Sequence, residues 1–138
     1  MGWIKYSYQG QWNNDRIIYD KPLIEVEFIH GNKHIKVAEC LIDSGCHTTH
    51  INAELAEYLG INMDVCEKVK SVGVGGVNDG FKTNIHLRLK DFDCTFESPV
   101  VVVKALPVPV LLGQNNFFDE FAIKFEKHNN TFELKKVD

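Results

Sequence analysis

The sequence predicts a mostly β protein, and three observations carry that prediction. Apolar and polar residues alternate at 23–30, which is the two-residue period of a half-buried strand. The Gly-Asn pair at 31–32 separates this run from the next one, as in a hairpin. Residues 53–59 form the one clear helix, because Asn52 can cap its start and Gly60 can end it.

The predicted elements follow in a simple order. Residues 1–21 are aromatic and polar by turns around a turn-rich centre, and we interpret them as an N-terminal arm with at most one short strand. Residues 22–138 are predicted to form a single domain. After the helix this domain contains a strand, glycine-rich tip and strand at 68–92, strands within 92–106 and 107–113, a short helix within 114–121, and a hairpin about the Asn129-Asn130 turn.

Composition argues against several classes of partner. The 138 residues are 44% hydrophobic and 25% charged, as in ordinary globular proteins. A net charge of −4 and scattered Lys and Arg residues predict no binding to nucleic acid or membrane surfaces. The longest apolar run, 99–113, contains Lys104 and is too interrupted to span a bilayer. Because no signal peptide is evident, we expect a cytoplasmic protein with four free cysteines.

The most informative stretch is LIDSGCHTTHI (41–51), in which Asp43 directly follows an apolar strand. A strand that ends at Asp-Ser-Gly exposes its carboxylate at a tight turn. There the amide of Gly45 and the hydroxyl of Ser44 can hold the carboxylate ionised and fixed. The same three residues are good turn formers, so an inert turn is an alternative interpretation.

This stretch also contains Cys46, His47 and His50, which raise a metal site or a Cys/His nucleophile as alternatives. The sequence has no second pair of ligands at zinc-like spacing. Neighbours 46 and 47 point to opposite faces of an extended strand, so they do not converge on one ion. Lone cysteines are more often packed than reactive. We therefore predict no metal and no cofactor, and keep a small zinc or thiol module as a third hypothesis.

Three segments, in this order and spacing, resemble the retropepsins, the single-domain aspartic proteases of retroviruses and retrotransposons, with relatives in bacteria and plants. They are LIDSGCHTTHI (41–51), the glycine-rich VGVGG (72–76), and VLLG (110–113) followed by QNNFFDEF. With the closing hairpin, the resemblance covers about 22–136. It implies an all-β, acid-protease-like closed β structure with a short helix and one lobe per chain.

The resemblance also implies a role for each segment. Asp43 would be the catalytic aspartate, Ser44 would bond across a two-fold axis, and Gly45 would contact the substrate main chain. A flap would close over an extended peptide, with its tip at Val74, and it would consist of Val72, Gly73, Val74, Gly75 and Gly76. The catalytic loop would be supported from beneath by Leu111, Leu112 and Gly113.

Aspartic proteolysis needs two carboxylates a few ångströms apart that share one proton. The chain has one Asp-Ser-Gly turn, so the second carboxylate must come from a second copy. We therefore predict an aspartic endopeptidase that is a homodimer, with Asp43 of each subunit on the two-fold axis. The alternative is a non-catalytic retropepsin-like module for dimerisation or peptide binding.

Two positions depart from the family pattern. Many retropepsins have an acidic residue two places after the catalytic-loop glycine and an arginine after the apolar-apolar-Gly segment, and these two residues pair. Here the positions hold His47 and Gln114, for which a neutral hydrogen bond is the expected replacement. Cys46 occupies a position usually held by alanine.

Overall fold

Strands dominate the computed structural model, which describes residues 2–73 and 76–138. Within these residues, twelve strands lie at Ile4–Ser7 (β1), Gln9–Asn13 (β2), Arg16–Lys21 (β3), Leu23–His30 (β4), Lys33–Ile42 (β5), Thr49–Asn52 (β6), Glu67–Gly73 (β7), Gly76–Leu89 (β8), Cys94–Val103 (β9), Val110–Leu112 (β10), Phe121–Glu126 (β11) and Thr131–Lys136 (β12). The described helices are Ala53–Tyr58 (α1), Phe117–Glu120 (α2) and single 3-10 turns at Met63–Val65, Lys90–Phe92 and Lys127–Asn129. The prediction of a mostly β fold is confirmed.

The helix predicted from the sequence is present as α1, and the predicted residues, Asn52 and Gly60, lie at its two ends. The Asn52 side chain accepts a hydrogen bond from the amide of Leu55 at 2.8 Å, which satisfies one of the free amides at the start of α1. After the helix, Gly60 adopts a positive φ of 72°, a backbone conformation that favours glycine. These two residues therefore mark the start and the end of α1.

The main sheet is closed. Its strand order is β4-β5-β10-β6-β9-β8-β7, and β4 also pairs with β8, so six strands form a barrel and β7 extends beyond it. The interior is filled by apolar side chains that alternate along the strands, since neighbouring residues of a strand face opposite sides. Those that are at most 1% exposed include Val26, Phe28, Ile85, Leu87, Val100 and Val102.

A second layer packs against the barrel through aromatic side chains. The sheet β1-β12-β11 lies beside α2, and Phe117, Phe121 and Phe132 are each at most 1% exposed. The ring centroids of Phe117 and Phe121 are 5.3 Å apart. Burial of each such ring stabilises the fold by about 2 kcal/mol. This layer fixes the position of α2, the next element after β10 in the chain. β10 in turn supports the candidate site.

The N-terminal 21 residues contain more regular structure than the single short strand that the sequence suggests. β1 joins the C-terminal sheet by pairing with β12, and β2 and β3 form a separate two-stranded ribbon. Every residue of β2 is exposed, so its sequence shows no burial period from which a strand could be predicted. Trp12 is 74% exposed on this ribbon.

The described residues include no helix that has the length and apolar character needed to cross a bilayer.

Candidate active site

Asp43 lies at the end of β5, where three strands meet. β10 runs between β5, to which it is parallel, and β6, to which it is antiparallel. The loop 43–48 joins β5 to β6 around the end of β10. The amide of Asp43 donates to the carbonyl of Leu112 at 3.0 Å, so the aspartate backbone is held by the strand beneath it.

Hydrogen bonds inside the Asp-Ser-Gly turn hold the Asp43 carboxylate in place. The amide of Gly45 donates to Asp43 Oδ1 at 2.9 Å, and the amide of Cys46 donates to the Asp43 carbonyl at 3.2 Å. In the described part of the chain, the Ser44 hydroxyl makes no hydrogen bond to this carboxylate, contrary to the expectation from sequence. Ser44 is exposed and Asp43 is half-buried, so the turn presents the carboxylate at the surface.

Gly113, which directly follows β10, lies close against the backbone of the loop 43–48. A Cβ at this position would lie 2.8 Å from the carbonyl oxygen of Cys46 and 2.8 Å from the carbonyl carbon of Thr48, which are backbone atoms that cannot move aside alone. The Gly113 amide donates to Thr49 Oγ1 at 3.1 Å, and Thr49 is fully buried. Glycine is thus required here for space. The buried hydroxyl of Thr49 is a supporting group whose role the sequence did not reveal.

Gln114 braces the loop, but not through the partner that the sequence suggests. Its Nε2 donates to the carbonyl oxygen of Ser44 at 2.7 Å, and its amide donates to the carbonyl of Cys46 at 2.8 Å. The amide of Asn115 donates to the carbonyl of His47 at 2.7 Å. Among the described residues there is no side-chain bond between His47 and Gln114. The expected His47–Gln114 bond is wrong because the exposed His47 contributes through its backbone, while the Gln114 side chain reaches across to Ser44.

The glycine-rich segment predicted as a flap joins β7 to β8. These strands are antiparallel, with Val72 opposite Val77 and Gly73 opposite Gly76. Val72 is 78% exposed and Val77 is 63% exposed, so the hairpin presents apolar side chains to solvent. Gly76 has a φ of 105°, which side-chain-bearing residues rarely adopt. The predicted tip residues Val74 and Gly75 lie outside the described residues.

Cys46 and His50 come together in a way that strand alternation did not predict. Residues 46–48 belong to the loop, and β6 begins only at Thr49. Cys46 Sγ donates to the carbonyl of Thr48 at 2.9 Å and lies 3.4 Å from His50 Nδ1. Burial, and secondarily the charge of Asp43, raise the pKa of the Cys46 thiol to about 11. The thiol therefore stays protonated near neutral pH, which does not favour a nucleophilic role.

Three or more metal-binding side chains do not cluster anywhere in the described ranges. A cavity of about 390 Å³ lies between β1 and the barrel, near Tyr6 and Glu25, and no residue of the loop 43–48 lines it. This cavity is therefore separate from the turn that holds Asp43.

Comparisons with known proteins agree with this architecture. A model of the aspartyl protease family matches residues 25–116, more than half of the chain. The structure is similar to that of a retropepsin-like aspartic protease from Rickettsia conorii, with a TM-score of 0.67 and 17% identity, over 96% of this chain and 89% of the other. It is also similar to EIAV protease in complex with the inhibitor HBY-793, with a TM-score of 0.53 and 18% identity, over 79% and 91% of the two chains.

No curated protein matches the chain. At these identities the solved structures establish the fold alone, and they confirm the single-lobe, retropepsin-like fold that the motifs predicted.

Proposed function

This chain belongs to the aspartyl protease family, and we propose that it is an aspartic endopeptidase in which two copies each supply Asp43. The observation that carries the proposal is the setting of that carboxylate. It stands at the surface on a turn whose backbone is bonded to β10, and its Oδ1 accepts the amide of Gly45. A carboxylate held in this way is oriented before any substrate arrives.

The proposed chemistry follows from placing two such carboxylates together. Two like charges a few ångströms apart cannot both ionise, so the pair holds one proton and titrates as a unit. The ionised carboxylate takes a proton from water as the water oxygen attacks the peptide carbonyl. The protonated partner donates to the carbonyl oxygen, and the resulting gem-diol collapses as the leaving nitrogen is protonated. No cofactor is required.

The proposal needs a second copy because the sequence contains one Asp-Ser-Gly turn. Exposure of Ser44 and Gly45 supports a contact between copies at this loop. A two-fold axis beside the loop would bring Ser44 of each copy together, and the two Asp43 carboxylates would face each other. In this arrangement neither copy alone has a complete site.

An extended peptide is the proposed substrate. The exposed valines Val72 and Val77 of the hairpin would cover apolar side chains of the peptide. The Gly45 amide is engaged by Asp43, so its carbonyl is the group that would accept a hydrogen bond from the peptide main chain. Such pairing by strand addition gives affinity through the main chain and selectivity through alternate side chains.

Cleavage of peptides tests the proposal directly. The purified protein should cleave unfolded protein substrates at mildly acidic pH, and a statine-type transition-state mimic should block the cleavage. Asp43→Asn should abolish activity while sedimentation still shows a dimer. Cleavage that survives Asp43→Asn would sink the aspartic mechanism, and a dimer of the wild-type chain without any cleavage would favour the non-catalytic module.

Mixed dimers test the requirement for two copies. Wild-type and Asp43→Asn chains are unfolded together, refolded at several ratios, and assayed at constant total protein. If each site needs both carboxylates, activity should fall as the square of the wild-type fraction. A linear fall would show that one chain suffices. Asp64→Asn, which alters a carboxylate on the turn after α1, serves as the matched control and should give no fall.

A further inference from the structure

The strand that follows the catalytic loop makes a side-chain contact with the flap hairpin. His50 lies in β6 between Thr49 and Ile51, which are fully buried, so its half-buried ring is on the opposite face of the strand. His50 Nε2 lies 2.8 Å from Ser71 Oγ, and His50 Nδ1 lies 2.6 Å from the carbonyl oxygen of Thr48. One ring therefore bridges the backbone of the catalytic loop and a hydroxyl of β7.

The chemistry of the two partners fixes the ring. A carbonyl oxygen can only accept, so His50 Nδ1 carries the hydrogen and donates to Thr48. In the neutral ring, Nε2 then has a lone pair and accepts from the Ser71 hydroxyl. Both nitrogens are used, and the ring has one orientation that satisfies them. The Thr48 carbonyl also accepts from Cys46 Sγ, which ties the ring to the loop a second time.

The bridge reaches a strand that is otherwise held from one side. β7 is the last strand of the main sheet and pairs with β8, where Ser71 lies opposite Asn78. Ser71 is two residues before Gly73, the described end of β7. The bond between His50 and Ser71 therefore connects the flap hairpin to the catalytic loop across 21 residues of sequence.

We propose that His50 is a positioning residue that holds the flap strand at a fixed distance from Asp43 through its bond to Ser71. Because β7 is already held in place, the flap loses less conformational entropy when it closes over an extended peptide above the carboxylates. This inference deepens the proposed function and rests on it for its kinetic consequences. The tether itself is a property of the folded chain, so it can be measured without substrate.

Amide hydrogen exchange of the ligand-free protein measures the tether. Ser71→Ala and His50→Phe each remove the bond, and each should speed exchange of the β7 amides about 5-fold, because a net hydrogen bond is worth about that factor in local opening. Ser71→Thr keeps the hydroxyl and should exchange at the wild-type rate. The double variant His50→Phe/Ser71→Ala should exchange no faster than either single variant.

The salt bridge between Lys70 and Asp79 offers a matched control, because it joins β7 to β8 within the hairpin. Asp79→Asn alters the same hairpin without touching β6, so its effect on exchange should add to that of His50→Phe. Additive effects of His50→Phe and Ser71→Ala, or unchanged exchange in Ser71→Ala, would overturn the tether.

Kinetics separate positioning from general stability. In Ser71→Ala, KM should rise about 5-fold while kcat per titrated active site stays within about twofold, and Ser71→Thr should restore KM. A purely structural role would lower the number of active sites and leave KM unchanged, which would contradict the inference. If the wild-type protein cleaves nothing, the proposed function fails, and the exchange measurements still decide whether the tether exists.

Discussion

The loop 43–48 and the β7–β8 hairpin, which we propose as the catalytic loop and the flap, are held in different ways. In the loop, Asp43, Cys46 and His47 are bonded through their backbone to β10 and the segment that follows it. The hairpin is held by the pairing of β7 with β8, by the salt bridge between the exposed side chains of Lys70 and Asp79, and by the bond from Ser71 to His50. This difference in how the two segments are held suits the two tasks that they have in the proposed enzyme. Reacting groups need a fixed geometry, whereas a cover has to let a peptide enter and leave.

The largest effect is expected where the loop has least room. Gly113→Ala places a methyl group against the Cys46 carbonyl and the Thr48 backbone, which belong to the loop that begins at Asp43. We expect a loss of at least about 3 kcal/mol in the free energy of unfolding, since over-packing typically costs 1–3 kcal/mol even where side chains can adjust. Denaturant titration measures the loss, and Gly2→Ala is the control because nothing lies within 4 Å of its added Cβ. Equal stabilities of the two variants would show that the loop can yield.

Modification of Cys46 tests the junction between loop and flap. An alkyl group on this thiol would displace His50 and crowd Asp43, so turnover should fall more than tenfold. Because the thiol pKa is about 11, the alkylation rate should rise about tenfold per pH unit from neutral pH towards 11. Mass spectrometry follows the modification at each pH, and Cys46→Ala is the insensitive control. Unchanged thiol sensitivity of turnover in Cys46→Ala would place the reactive cysteine elsewhere.

Removal of the buried hydroxyl beneath the loop should have a smaller effect. Thr49→Val keeps the shape of the side chain but leaves the buried Gly113 amide without its acceptor. An unsatisfied buried donor costs about 1–3 kcal/mol, and Thr49→Ser should recover most of this loss. Thermal unfolding compares both with Thr95→Val, a change at an exposed position of β9. A loss in Thr49→Val no greater than that in Thr95→Val would show that another group satisfies the amide.

The smallest effect is expected at the exposed edge of the loop. Gln114→Leu removes the donor to the Ser44 carbonyl but keeps the backbone bonds from Gln114 and Asn115 to the loop. The free energy of unfolding should therefore fall by about 1 kcal/mol or less. Activity should fall a few fold because the Asp-Ser-Gly turn is less constrained. Gln114→Glu places a carboxylate beside the same carbonyl and should be worse than Gln114→Leu. The reverse order would remove the proposed brace.

The sequence predicted well those features that depend on local pattern. The hairpin of β4 and β5, the helix capped by Asn52 and the Asp-Ser-Gly turn were all recognisable, because burial period and turn chemistry are written in neighbouring residues. The contact of His50 with Ser71 was not predictable, since it depends on how β7 lies relative to β6. Gln114 was recognised as a supporting position but was assigned the wrong partner. The family pattern identifies which position supports the loop, whereas the bond to the Ser44 carbonyl depends on the three-dimensional path of the loop.

The placement of the tryptophans in the N-terminal segment has a practical consequence. Both tryptophans of the chain, Trp3 and Trp12, precede the barrel, and they are 43% and 74% exposed. The intrinsic tryptophan emission of this protein therefore reports on its first 21 residues, and the barrel contributes no indole signal. In Trp3→Phe, whose emission comes from Trp12 alone, a blue shift on raising the protein concentration would show that the ribbon becomes covered when copies meet, and a shift on adding peptide would place the ribbon beside the peptide.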